Sequence, residues 1–221
     1  LKTGGYGLIR FAVPLFPEAA AAYADPIAII GVIGIIYGAV LAYGQTDIKR
    51  LIAYTSVSHM GFVVLGVSTW QLMALQGAVF QMLAHGLATG ALFAIAGMID
   101  ERFHTRALDK LGGLWSKLPR LSAFALVFVL ASVGVPGMGN FIGELLTLLG
   151  SFPASPSLVV VAVAGIVLGL VVMLELVQQV LKGPACSQAR VIDLRPRELI
   201  VLGALAFLVL VLGLFPQPAL K

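Results

Sequence analysis

From Leu51 to Ile99 the chain runs 49 residues without an Asp, Glu, Lys or Arg. About 20 apolar residues suffice to cross a bilayer as a helix, so this stretch is too long for one crossing and right for two. Ser68-Thr69-Trp70-Gln71 is the turn between them, and its tryptophan suits the water interface. The remaining chain follows the same pattern. Pro26–Thr46 is another uncharged run, with its proline in the first turn, where the missing donor does no harm. Ser157–Leu181 is interrupted only by Glu175, and Glu198–Leu220 forms the last crossing. Across the 221 residues 60% are hydrophobic and 11% charged. A soluble domain carries about 25% charged residues, so the chain reads as an all-α, polytopic membrane bundle.

The ends and connections are read from their charges. Leu1–Phe16 is apolar but for Lys2 and Arg10, ends among Pro14 and Pro17, and reads as the tail of a truncated membrane helix. The chain begins with leucine rather than methionine, so a piece of a longer protein is expected. Pro17–Asp25 reads as an acidic loop, and Asp100–Arg120 as a long polar loop with a short surface helix near Ala107–Leu114. Eleven of the 14 Lys and Arg residues fall in three alternate connections: Lys49/Arg50, Arg102–Arg120 and Lys182–Arg197. The intervening connections hold none, so the positive-inside rule turns all three toward the cytoplasm and supports six complete crossings.

One crossing is irregular. In Ser132–Gly150, SVGVPGMGNFIGELLTLLG, Gly134, Pro136, Gly137, Gly139 and Gly143 crowd together after the apolar run Leu121–Ala131, and Glu144 follows. Proline removes a backbone donor, and glycine inside a helix costs about 1 kcal/mol against alanine. The plainest reading is a helix broken at mid-membrane near 132–144. Such backbone is tolerated only where protein or water satisfies it, and such breaks mark ion or substrate sites in transporters. A carboxylate at that depth costs roughly 2.5–3.5 kcal/mol and should face a bundle interior or a wet cavity. The competing reading is a loop between two short helices, with Glu144 at an interface.

Few other ionisable groups are buried: Lys2, His59, His85 and Glu175. Gln81, His85 and Thr89 recur every fourth residue and share one helix face; Thr55 and His59 repeat that spacing on the preceding helix. Either histidine alone could simply hydrogen-bond between helices. Two on consecutive helices, with a carboxylate at a broken helix, point toward a proton relay, because histidine titrates near neutrality. Metal binding has less support, since His59 and His85 are far apart in sequence and no HxxxH or ExxH spacing occurs. The single cysteine, Cys186, excludes an intrachain disulfide and reads as a bystander thiol in a polar loop. No GxSxG, no GxxxxGK[ST] and no basic tract with interleaved aromatics is present, so nucleophilic hydrolysis, a phosphate loop and nucleic-acid binding lack support.

The strings LKTGGYGLIRF (Leu1–Phe11), QTDIKRLIAYTSVSHMGF (Gln45–Phe62), AHGLATGALF (Ala84–Phe93) and GVPGMGNFIGE (Gly134–Glu144) carry a specific resemblance. The chain resembles the subunit M family of bacterial NADH–quinone oxidoreductase (complex I), whose mitochondrial counterpart is NADH dehydrogenase subunit 4. The resemblance covers essentially the whole chain. It implies an antiporter-like fold of two inverted five-helix repeats, each with a broken helix. Residues 26–181 would be the second repeat and 198–220 the final helix; the first repeat and its input pair, a glutamate and a lysine, would lie before Leu1. It also implies a proton relay of Lys2, the central lysine, with His59, His85 and Glu144. Glu175 stands where the family often has a basic residue, and so inherits no role.

The resemblance places NADH, FMN, iron–sulfur clusters and quinone on other subunits, and no cofactor on this chain. It implies neighbouring antiporter-like subunits as partners, and the bacterial inner membrane as the location. Membrane subunits of multisubunit sodium/proton antiporters and of energy-converting hydrogenases share the broken helices and the buried lysine, and form the alternative reading. A third possibility is a passive scaffold whose polar seam only joins helices; Glu144 argues against it, because a scaffold needs no charge at a broken centre.

Overall fold

The computed structural model describes residues 2–184 and 191–220; Cys186 lies outside them. Helix α1 (Lys2–Gly7) widens into a π turn over Leu8–Ala12 and ends after Val13–Leu15. In place of the expected acidic loop there is a short helix, Pro17–Ala22. Its alanines are the best helix formers, and its proline sits where no donor is needed. Then come α2 (Ala24–Tyr43), α3 (Ile48–Ser68), α4 (Leu72–Phe103), α5 (Pro119–Val133), α6 (Gly139–Ser151), α7 (Pro156–Leu176, closed by a π turn at Val177–Leu181) and α8 (Pro196–Leu214).

Five segments are long and apolar enough to cross a membrane: Ala24–Tyr43, Ile48–Ser68, Leu72–Phe103, Pro156–Leu181 and Pro196–Leu214. The sixth expected crossing is divided into the half-helices α5 and α6. The outward faces stay apolar, with Ile30, Ile33, Val160, Val167, Ile200 and Phe207 all exposed. A surface of that kind suits lipid rather than water, and the protein is an integral membrane protein.

The surface helix expected near Ala107–Leu114 does not form. Backbone on both sides of Ala107 is engaged elsewhere: Ile48 N–H donates to Arg106 O (3.0 Å) and Leu108 N–H to Thr46 O (2.8 Å). A single 3-10 turn, Leu108–Lys110, follows, and Gly113 at φ +65° then interrupts before one α turn at Leu114–Lys117. Leu108, Leu111, Leu114 and Leu118 are all buried, so the connection is a strap tied down by its leucines.

The three basic connections gather at one end of the bundle. Asp47 caps α3, its Oδ1 accepting from Lys49 N–H (2.8 Å) and Arg50 N–H (3.1 Å). Lys49 Nζ pairs with Asp100 (3.2 Å), which Arg106 also approaches (3.5 Å). Arg102 binds Glu198 (2.6 Å) and donates to the carbonyls of Ile192 (2.9 Å) and Asp193 (3.2 Å). The Asp193 carboxylate in turn accepts from the first free amides of α5, Arg120 N–H (2.9 Å) and Leu121 N–H (3.2 Å). The start of the broken crossing is thereby fixed to α4 and α8.

Candidate functional site

The break is built by two glycines with positive φ. Gly134 ends α5 in the left-handed region (φ 78°, ψ 46°), while Val135 N–H returns to Leu130 O (3.2 Å). Gly137 (φ 94°) lies inside the turn closed by Met138 N–H to Val135 O (3.0 Å). A side chain at either would be strained. Helix α8 covers the turn, because a Cβ on its Gly213 would collide with the carbonyl of Gly137.

Helix α6 then carries Glu144 against α4. Small residues set the distance: a Cβ on Gly143 would stand 2.8 Å from the Cα of Gln81, and one on Gly77 would overlap the backbone of Thr147. This close approach, typical of helix contacts in membranes, brings side chains 63 positions apart into hydrogen-bonding range. Gln81 Nε2 donates to Glu144 Oε1 at 3.1 Å. On the other side, His59 Nδ1 of α3 lies 3.0 Å from the same Glu144 oxygen. Gln81 Nε2 and His59 Nδ1 are 3.4 Å apart, which closes a triangle. Glu144 is 4% exposed and Gln81 0%, so this is an interior contact.

The rings of His59 and His85 stand 4.6 Å apart between centroids, tilted by 40°. His85 is buried, and its Nδ1 meets the Thr89 hydroxyl at 2.9 Å. Lys2 approaches the same stretch of α4: its Cε lies 3.9 Å from where a Cβ on Gly86 would be. His85, His59 and Glu144 thus stand in a file across α4, α3 and α6, and Lys2 of α1 approaches α4 beside Gly86. A cavity of about 20 Å³ adjoins the Glu144 end, lined by Thr55, Ser58, His59, Ser132 and Glu144 and roofed by Gly165 and Gly169 of α7. That volume accommodates one water molecule. Ser132 Oγ and Asn140 Oδ1, both buried at the break, have no hydrogen-bond partner among the described residues. Buried polar atoms left free in this way mark a polar, water-tolerant interior.

The neighbouring hydroxyls and Glu175 are bonded elsewhere. Thr55 Oγ1 donates to Ile52 O on its own helix (2.9 Å) and Ser58 Oγ to Ile35 O of α2 (2.8 Å). Glu175 sits outside the file, accepting from Gln179 Nε2 at 2.8 Å. Among the described residues no group of three His, Cys, Asp or Glu side chains could hold a metal. Spacing missed the double contact of Gln81. It put Gln81 on the His85 face but could not show that α6 brings Glu144 to it. Ser132 and Asn140 went unnoticed as well; their only signal was their place beside the glycines.

The arrangement can move a proton without moving the backbone. A proton on His59 Nδ1 is already within hydrogen-bond reach of Glu144, which is the geometric condition for direct transfer.

Residues 1–169 match the family model described as "NADH:quinone oxidoreductase/Mrp antiporter, TM". The chain is 52% identical over 221 residues to NADH-quinone oxidoreductase subunit M of Pseudomonas aeruginosa and 50% identical over 224 residues to that of Escherichia coli. All of the chain is covered in both cases, but only 43% and 44% of those relatives, so it spans less than half of their length. A chain of respiratory complex I from Thermus thermophilus, solved with bound NADH, superposes with a TM-score of 0.94 at 34% identity, covering 99% of this chain and 47% of that one. A chain of the Mrp complex from Dietzia shares the fold, with a TM-score of 0.79 at 22% identity over 90% of this chain and 46% of that one.

Proposed function

Since this chain belongs to the NADH:quinone oxidoreductase/Mrp antiporter transmembrane family, we propose that it is part of a proton-translocating subunit of an NADH–quinone oxidoreductase. Protons pass along the file Lys2, His85, His59 and Glu144. The observation that carries this reading is the 3.0 Å contact between His59 Nδ1 and Glu144 beside the helix break. An imidazole and a carboxyl group at that distance exchange a proton directly, and burial keeps the exchange out of reach of bulk water. The step from His85 to His59 crosses between rings 4.6 Å apart, and Lys2 lies beside Gly86 at the other end. Redox chemistry with NADH, FMN, iron–sulfur clusters and quinone belongs to other subunits, so the driving energy reaches this chain through its contacts with neighbouring membrane subunits. The bacterial inner membrane, with the three basic connections on its cytoplasmic side, is the matching location.

The reading is tested on the full-length protein, assembled in its complex, in membrane vesicles. Glu144→Gln keeps shape and polarity but removes titration. It should assemble on native gels yet lower proton translocation and coupled quinone reduction roughly a hundredfold, the usual size of a lost acid–base group. Glu144→Asp should keep most of both. An assembled Glu144→Gln variant that pumps normally would return Glu144 to helix packing.

A further inference from the structure

The triangle of His59, Glu144 and Gln81 holds one more contact than a single protonation state can satisfy. His59 Nδ1 has one in-plane position, which carries either a hydrogen or a lone pair. When it carries the hydrogen, it donates to Glu144 Oε1 at 3.0 Å, and the 3.4 Å approach of Gln81 Nε2 sets two donors face to face. When it carries the lone pair, Gln81 N–H can donate to it, and the proton has gone elsewhere. The Gln81 amide has two hydrogens, enough to serve Glu144 and His59 from one nitrogen. Its Oε1 has no partner among the described residues, so nothing on the carbonyl side fixes the amide.

Resting on the relay reading above, we propose that Gln81 is a positioning residue that takes over His59 at the moment its proton leaves. In the transfer the N–H bond of the His59 imidazolium breaks at Nδ1 and an O–H bond forms on Glu144. The imidazolium and carboxylate become a neutral imidazole and a carboxylic acid, with no other reactant. If the new O–H stays on Nδ1, the proton simply returns. For the step to advance, the O–H must turn away toward the break, where Glu144 Oε2 already lies next to Gly134. That turn leaves a buried Nδ1 lone pair without a donor, which is costly in such surroundings. Gln81 Nε2 fills the gap without moving its helix. Gly143 is what lets it sit there, because a Cβ on Gly143 would press on Gln81 Oε1 at 2.5 Å.

The test uses the full-length protein in its assembled complex, with Gln81→Met, similar in volume but without a donor, and Glu144→Gln run in parallel. Proton translocation in vesicles is read together with the infrared C=O stretch of the protonated Glu144 carboxyl, identified as the band missing from Glu144→Gln. Gln81→Met should slow translocation about fivefold or more, the weight of one hydrogen bond, and move the Glu144 band to higher wavenumber. Gln81→Leu provides a second arm: it fills similar space with a different shape and donates nothing in any protonation state, and should slow translocation comparably. Normal pumping with an unmoved band in either assembled variant overturns the proposal, as does failure of both to assemble, which would assign Gln81 to packing. If instead Glu144→Gln pumps normally, the relay itself fails, and that result is distinct from a loss confined to Gln81.

Discussion

Charge is paired in two regions of this bundle, and in opposite ways. At the end where the basic connections meet, Asp47, Lys49, Asp100, Arg102, Arg106, Asp193 and Glu198 form a layer in which permanent charges face each other and helix ends are capped. At the break, among the described residues, Glu144 bonds to an imidazole and an amide, neither of which is permanently charged. The first region holds geometry: Arg102 has four acceptors and no reason to release them. The second can change state, because moving one proton turns an ion pair into two neutral groups still in contact. Fixed pairing and mutable pairing thus lie on the same helices, α4 above all.

That contrast can be broken by exchanging the expected phenotypes. After Glu144→Gln, the largest effect expected is on stability at the layer. The Arg102 and Glu198 side chains are only 9% and 14% exposed, so Arg102→Ala leaves a carboxylate and two carbonyls short of a donor. It should cost about 3 kcal/mol, read as a lower thermal midpoint of the complex, while the molecules that remain assembled pump with normal stoichiometry. Loss of pumping in a complex of normal stability would place Arg102 in the relay. His85→Gln tests the opposite case. Glutamine can still bond Thr89 but carries no proton at neutral pH, so pumping should fall roughly tenfold with the thermal midpoint little changed. Full pumping in that variant would leave His85 as interhelical glue. The smallest effect is expected at Glu175→Gln, since Glu175 contacts Gln179 and lies outside the file. Translocation should stay within about twofold of wild type, in keeping with the small weight of a partly exposed polar contact; a larger loss would reveal a second route.

The crossings were legible because charge is so costly in a bilayer that its absence over long runs leaves little choice. The break was legible at Gly134 and Gly137 for a similar reason, since few residues other than glycine accept the φ that the turn requires. Local spacing was a weaker guide. Ala107–Leu114 has leucines at helical intervals, yet those leucines are buried by a strap whose backbone is engaged with residues 46–48, which no local pattern reveals. Ala19–Ala22 has ample helix propensity, but the acidic residues around it suggested a loop. At the site, residue types could be read for His59, His85 and Glu144, and helix faces for the two histidines. The triangle could not, because it depends on how deeply α6 sinks into α4 at Gly143, a matter of packing between distant segments.

The cover that α8 places over the break gives this fold an order in time. The ribosome finishes α5 and α6 well before Gly213 exists, so the turn at Gly137 enters the bilayer before the surface that will shield its carbonyl. Backbone polar groups exposed to lipid cost several kcal/mol each. The half-helices therefore have to wait, at the translocation machinery or against another polar partner, until α8 arrives. Helix α8 is in this sense a clasp, and the interior beside Glu144 is closed by a segment made long after the break itself.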